Sequence, residues 1–312
     1  MRIYRGFHHT LTTETALTVG NFDGCHRGHK ALLERLRAVA RAEGRQAAVM
    51  TFEPHPREFF SPATAPARLT PLREKLAYFA AAGVDAVFVI PFNPRFAALS
   101  AETFIHVVLI EALRVHHLII GDDFRFGSDR RGDFGVLEAA ARDTGLTVEA
   151  TPTVVFPDSG ERISSSAIRA ALAAGDCAKA AAFLGHPYAV AGRVVHGRRL
   201  GRQLGFPTAN LYLRHTPLPL TGIFAISAEF AGARFAGVAN VGLRPTVETG
   251  VVRPLLEAHL FDFDGNLYGK QLSVRFIRKL RDEQKFSGLE ALQQQIALDV
   301  AQARAACVSS EA

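Results

Sequence analysis

A chain of 312 residues, 48% hydrophobic and 21% charged, is long enough for roughly two globular domains and too apolar for wholesale disorder. No apolar run approaches the ~20 residues of a membrane helix, the opening residues lack the apolar stretch of a secretory signal, and Cys25, Cys177 and Cys307 form no CxxC pair, which argues for a cytoplasmic protein without disulfide framework or zinc knuckle. The net charge of +6 is near balance over 1–183 (21 basic, 20 acidic) and concentrated over 184–312 (15 basic, 10 acidic), in two short clusters at 193–202 and 275–285 that suit a small polyphosphate better than nucleic acid, for which no reading motif is present.

The first half alternates strand and helix patterns. An apolar run at 16–19 stops at Gly20, and apolar residues at helical spacing follow from Ala31 until Gly44. Strands are predicted at 47–52, 86–90 and 117–120, with helices at 71–82 and 104–115 between them. Segments 136–141 and 147–156 repeat the pattern once more. Continuous apolar strands separated by helices imply a parallel sheet covered on both faces, whose ligands bind beyond the carboxyl ends of the strands. Residues 20–29 and 121–127 fall at such ends.

Two short helices at 166–174 and 178–184 precede a break at Gly185-His186-Pro187, which divides the chain into predicted domains 1–184 and 185–312. Beyond it, short strands at 189–195, 223–230, 234–241, 255–263 and 271–277, with Gly-rich turns, predict a small antiparallel barrel. A terminal amphipathic helix at about 289–306 is predicted to pack against it.

The segment GNFDGCHRGH (20–29) joins a strand to a helix, where free N–H groups and the helix dipole attract anions. Gly24 and Gly28 let a phosphate approach the backbone, with Gly20, Phe22 and Asp23 framing the turn. His26 and His29, three apart, face one side of the first turn and can donate to a triphosphate. A pair of histidines at a helix start is more often incidental, but strand, glycines and HxGH spacing together favour phosphate binding. No P-loop or GxGxxG fingerprint accompanies it. ISSSAIR (163–169) puts Ser164 and Ser165 at a helix start with Arg169 a turn in, which fits a second phosphate clamp or a plain serine cap. GDDFRFG (121–127) follows a strand and fits a ligand wall or an ordinary aromatic turn equally well.

With TFEPHP (51–56), GRQLGFPTAN (201–210), GVANVGLRPTV (237–247) and LEAHLFDF (256–263), these segments make the chain resemble the bacterial bifunctional riboflavin kinase/FAD synthetase family along nearly its whole length. The resemblance implies a first domain that makes FAD and pyrophosphate from ATP and FMN with Mg2+. Gly20, Phe22, Asp23, Gly24, His26, Gly28, His29, Ser164, Ser165 and Arg169 would then serve ATP, with Asp23 equally able to cap its turn. Phe52, Pro54, His55 and Arg57, with Asp123, Phe124 and Arg125, would border the flavin, although a Pro-bounded loop also explains the first group.

The second half would phosphorylate riboflavin to FMN. Gly201, Thr208 and Asn210 would meet ATP there, and Thr208 and Asn210 would offer oxygens to Mg2+. Arg198, Arg199 and Arg202 lie on the glycine-rich approach. Alternation puts Leu255, Glu257 and His259 on one face, with Glu257 expected to point inward among apolar neighbours, unless it faces solvent on an edge strand. The family implies that it is the general base for the terminal ribityl hydroxyl. Two departures stand out: Gly222-Ile223-Phe224 where the family commonly has Gly-Val-Tyr, and Cys25 at a position usually held by a small apolar residue.

Overall fold

The computed structural model describes residues 1–9, 11–197, 200–213, 217–245 and 252–311. They form two compact units, Met1–Ser165 and Ser166–Ala312. Arg198, Arg199 and the end of the segment 237–247 lie outside the described residues.

The first unit is built on a six-stranded sheet. Its strands are β1 (Arg2–Arg5), β2 (Thr15–Val19), β3 (Gln46–Glu53), β4 (Ala86–Pro91), β5 (Val115–Gly121) and β6 (Thr147–Thr151). The order is β1-β4-β3-β2-β5-β6, and every pairing is parallel. Strand β1, an edge strand of four residues with arginine at both ends, has no apolar pattern and was not visible in the sequence. Connecting helices are α1 (Arg27–Ala42), α2 (Pro56–Phe60), α3 (Leu72–Ala81), α4 (Pro94–Ala97), α5 (Ala101–Thr103) and α6 (Phe134–Thr144). The helix predicted at 104–115 is a π-helix over Phe104–Ala112 that continues α5, and β5 already begins at Val115.

Period-two alternation sorts the core onto the two faces. Ala16, Val49 and Val87 pack with Leu33, Leu36 and Val39 of α1 and Phe79 of α3. Leu17, Met50 and Phe88 pack on the other side with Phe104, Val108 and Leu109 of the π-helix and Leu137 of α6. Covering both faces is what a parallel sheet with continuous apolar strands requires. From β2 the chain steps to β3 and β4 on one side, and β5 then lies on the other side of β2. The order therefore reverses at β2, and the crevice at its carboxyl end is the position where open α/β sheets take ligands.

The second unit holds α7 (Ser165–Ala174, whose first residue belongs to the first unit), α8 (Cys177–Leu184), β7 (Ala189–Val195), α9 (Leu200–Gln203) and β8 (Ala209–Tyr212). It continues with β9 (Gly222–Phe230), β10 (Ala233–Pro245), β11 (Val252–Leu260), β12 (Gln271–Arg281) and α10 (Leu289–Glu311). Six antiparallel strands close as β10-β11-β8-β7-β12-β9. Strand β8 was not among the predicted strands, because four residues carry too little alternation to stand alone.

Helix α10 covers one outer wall: Ala303, Ala306 and Cys307 pack on Ile223, Ala225 and Val238. Arg281 fixes it further, with a two-pronged contact to the buried Asp299 carboxylate at 2.9 and 2.7 Å. Arg275 pairs with Glu229 and Lys279 with Asp282, so much of the basic cluster at 275–285 is engaged within the barrel unit. Phe224 is fully buried, edge-on to Phe276 at 5.2 Å, and the family's tyrosine hydroxyl is replaced here by apolar packing. Gly222 before it has φ +116°, and a Cβ would lie 2.6 Å from the Arg281 carbonyl, so only glycine serves.

Candidate active sites

In the first unit the segment 20–29 leaves β2 at the strand-order reversal and enters α1. Its backbone is contorted: Phe22, Gly24 and Cys25 have φ of 49, 90 and 45°. His26 is the N-cap of α1, and its Nδ1 accepts from the His29 N–H at 3.3 Å. An accepting Nδ1 in a neutral ring puts the ring proton on Nε2, which is then a donor for an anion. The His26 and His29 rings stack with centroids 3.6 Å apart, and Phe22 backs His29 at 5.0 Å. A Cβ on Gly28 would press within 3.1 Å of the His26 ring, which explains glycine between the two histidines.

His29 Nδ1 is buried, and burial, then the neighbouring His26, then Lys75, push its pKa well below 6.5. It is therefore a neutral imidazole at physiological pH. The unfolded chain protonates this ring near 6.5 and the folded one does not, so its stability contribution is present above that pH and lost as pH falls below it. His117, buried beside Glu149, shifts in the same direction. A His29→Asn variant should consequently show a shallower fall in melting temperature between about pH 7 and pH 5 than the parent. Parallel thermal scans with the same slope in both proteins would contradict this.

Asp23 is 3% exposed and accepts the N–H groups of Leu69 and Thr70 at 3.0 and 2.9 Å, which makes it a loop clamp. Ser165 donates its hydroxyl to the Asp23 carbonyl at 2.7 Å, so the serine run meets the HxGH loop directly. Ser164 is half-buried just before α7, and Arg169 lies one turn into that helix. The Cys25 thiol is buried, donates to the Phe22 carbonyl, and is pushed up by burial to about 12, so it is an inert packing group.

Sequence reasoning missed Lys75. It is 4% exposed and its Nζ donates to the Asn21 carbonyl at 2.6 Å. The signal was present: Lys75 shares the α3 stripe of Leu72, Leu76 and Phe79, where a lysine has no place unless it has a partner.

Around the candidate flavin loop, His55 is the N-cap of α2 in a capping box with Glu58, and Glu53–Pro54 is a cis peptide. Arg57 is exposed, and Arg68 grips Glu53 and Glu58 beneath the loop. Phe52 meets Phe92 edge-on, and Phe92 in turn meets Phe96 and Phe59 edge-on. Phe124 stacks on Phe126 at 5.5 Å, Asp123 pairs with Arg162 at 2.8 Å, and Arg125 donates to the Phe124 carbonyl. Both segments are thus braced aromatic walls at carboxyl ends of strands.

In the barrel a cavity of about 400 Å³ is lined by Thr208, Asn210, Arg202 and Gly197, with Ala258 and Leu260 beyond. Gly201 is not part of its wall; it packs in the turn beside it, where a Cβ would lie 2.4 Å from the Phe206 carbonyl. Asn210 is buried, and its Nδ2 donates to the Thr208 carbonyl at 3.4 Å, leaving Oδ1 for another partner. Glu257 pairs with Asn210 in the β8–β11 ladder and with Asn240 in β10–β11. The expectation that Glu257 points inward is corrected: Leu256, Ala258 and Leu260 fill that face, while Glu257 and His259 lie half-buried on the other. Nor is β11 an edge strand, since the barrel is closed. Glu257 is not part of the cavity wall; Asn210 links the two.

A glycine-rich loop entering a helix at the strand-order reversal of a parallel sheet, and a polar cavity in a closed barrel, are two separate candidate sites, as a two-domain transferase of nucleotide phosphates requires. The FAD synthetase family model matches residues 8–167 and the riboflavin kinase model residues 184–307. The chain is 48% identical to the bifunctional riboflavin kinase/FMN adenylyltransferase of Pseudomonas fluorescens, over 99% of each protein. It is 47% identical to that of Escherichia coli K12 over 97% of each, and 45% identical to that of Haemophilus influenzae over 98% of this chain and 99% of that one. A solved structure titled as a macrolide-efflux protein from Streptococcus pneumoniae superposes with a TM-score of 0.79 at 29% identity, covering 96% of this chain and 97% of that one. The chain belongs to the bifunctional riboflavin kinase/FMN adenylyltransferase family and is an ATP-dependent enzyme of flavin-cofactor synthesis. No helix among the described residues is long and apolar enough to cross a membrane.

Proposed function

We propose that residues 185–312 make FMN from riboflavin and residues 1–184 convert it to FAD; the linking helices α7 and α8, although they precede the break at 185, belong to the second compact unit. The observation that carries this reading is the ladder pairing of Glu257 with Asn210, which sets a carboxylate beside the PTAN asparagine. Glu257 takes the proton of the terminal ribityl hydroxyl as its oxygen bonds to the γ-phosphorus of ATP and ADP leaves. Gly201, Thr208 and Asn210 hold the nucleotide.

In the first half the FMN phosphate oxygen attacks the α-phosphorus of ATP and pyrophosphate departs. The acceptor is already anionic, so no protein nucleophile is needed. His26 and His29 donate to the triphosphate and offset charge developing on pyrophosphate, and the α1 N-terminus adds its dipole. Ser164, Ser165 and Arg169 complete the ATP side. Phe52, Pro54, His55 and Arg57, facing Asp123, Phe124 and Arg125, border the flavin.

Mg2+ fits the barrel cavity, where Thr208 and Asn210 present hard oxygens. Among the described residues no group of three or more His, Cys, Asp or Glu is arranged to hold a metal, so the ion would share these two ligands with ATP phosphates. Bound there, it would supply charge neutralisation for phosphoryl transfer. A cytoplasmic location is supported by three free, buried cysteines. Incubation of the protein with riboflavin, ATP and Mg2+, followed by chromatography of the flavins, should show FMN and then FAD. No FMN removes the kinase assignment; no FAD from supplied FMN removes the adenylyltransferase assignment.

A further inference from the structure

The HxGH loop is held in an unfavourable state. Phe22 and Cys25 occupy the left-handed backbone region, and Asn21 Oδ1 and His29 Nδ1 are buried without a hydrogen-bond partner. Strain of this kind persists only where surrounding structure over-determines it. The surrounding structure is the segment that leads into α3. Asp23 accepts from the N–H groups of Leu69 and Thr70, Gly24 donates to Thr70 Oγ1 at 3.1 Å, and Lys75 Nζ donates to the Asn21 carbonyl at 2.6 Å.

Lys75 is the costly member of this set. A buried ammonium gives up its hydration, and lysine is rarely buried fully without a compensating partner. Asp23 and Glu53 offer it opposite charge, Arg68 like charge, and burial drives its pKa down. An apolar residue would satisfy the α3 stripe at far lower cost.

We infer that Lys75 is a positioning residue of the adenylyl-transfer site: its ammonium ties the Asn21 carbonyl to α3 and holds the loop in the shape that presents His26, His29 and the α1 N-terminus to ATP. The inference rests on the adenylyl-transfer reading above. Its charge also reaches the site directly, as one of the causes that keep His29 neutral.

Two variants test it. Lys75→Met matches the side chain in volume and removes both charge and donor; Lys75→Gln keeps an N–H donor for the Asn21 carbonyl. Positioning predicts FAD formation in the order wild type, Gln, Met, with Met losing about tenfold or more in kcat/KM for ATP through a raised KM as well as a lowered kcat. Riboflavin phosphorylation by the same samples should stay within about twofold of wild type. A purely packing position predicts the reverse order, because Met is the better apolar fit. Met equal to or better than Gln overturns the inference, as does a lowered kcat with unchanged KM and a matching drop in folded protein. If neither variant folds, Lys75 serves the fold alone and the inference is withdrawn. An inactive wild type overturns the adenylyl-transfer reading instead, which keeps the two failures distinct.

Discussion

Glu257→Gln is expected to reduce FMN formation from riboflavin by about 10²- to 10⁴-fold, the usual contribution of a general base. Gln keeps the shape of the side chain and its hydrogen-bonding reach but cannot take a proton. Strand β11 is secured on both sides by β8 and β10, so the substitution leaves the ladder intact. FAD formation from supplied FMN should stay within about twofold, because every residue proposed for adenylyl transfer lies outside the barrel strands. The pattern looked for is therefore a drop in kcat for riboflavin, an unchanged rate from FMN and an unshifted melting temperature. FMN formation at the parental rate would mean that the proton leaves by another route and that Glu257 is not the base.

Under the proposed function His26 would perform two tasks, and two substitutions separate them. As N-cap it accepts the His29 N–H, and its Nε2 would donate to the ATP phosphates. His26→Asn retains a good capping side chain but lacks the reach of the imidazole. It should keep near-parental stability while FAD formation falls by about 10²- to 10³-fold, the loss typical of a preorganised donor. His26→Ala should lose the same activity and in addition about 1 kcal/mol of stability, the ordinary value of a cap. Measurement of kcat for FMN adenylylation beside chemical denaturation resolves the two. An Asn variant with full activity would reduce His26 to a cap and leave phosphate binding to His29 and the helix dipole.

Legibility of the fold in the sequence followed burial. Strands β2 to β5 are buried on both faces, so their apolar runs were unmistakable, and β7 was predicted to its exact ends, Ala189–Val195. Strand β1 escaped because its side chains are largely exposed and its place depends on backbone pairing with β4. The π-helix escaped because propensity gives no sign of which carbonyl an N–H will choose.

For the site, spacing alone located His26 and His29 but could not show that Nδ1 of one caps the other's backbone. Lys75 was hidden by habit: a lysine within a helix reads as solvent-facing unless its neighbours at three and four residues are weighed. Glu257 shows the opposite limit. Alternation grouped Leu255, Glu257 and His259 correctly, but a period of two does not say which face is inside.

The Glu257–Asn210 pairing also bears on which changes of length the barrel tolerates. Side chains alternate strictly along a strand, so one residue inserted into or deleted from β11 between its ends would turn Leu256 outward and send the carboxylate into the apolar interior. Loops such as 261–270 can vary in length without moving that register. Natural variation in chain length among such barrels should accordingly collect in their connections, and a frameshift-like indel in β11 should silence phosphorylation even where the barrel still closes.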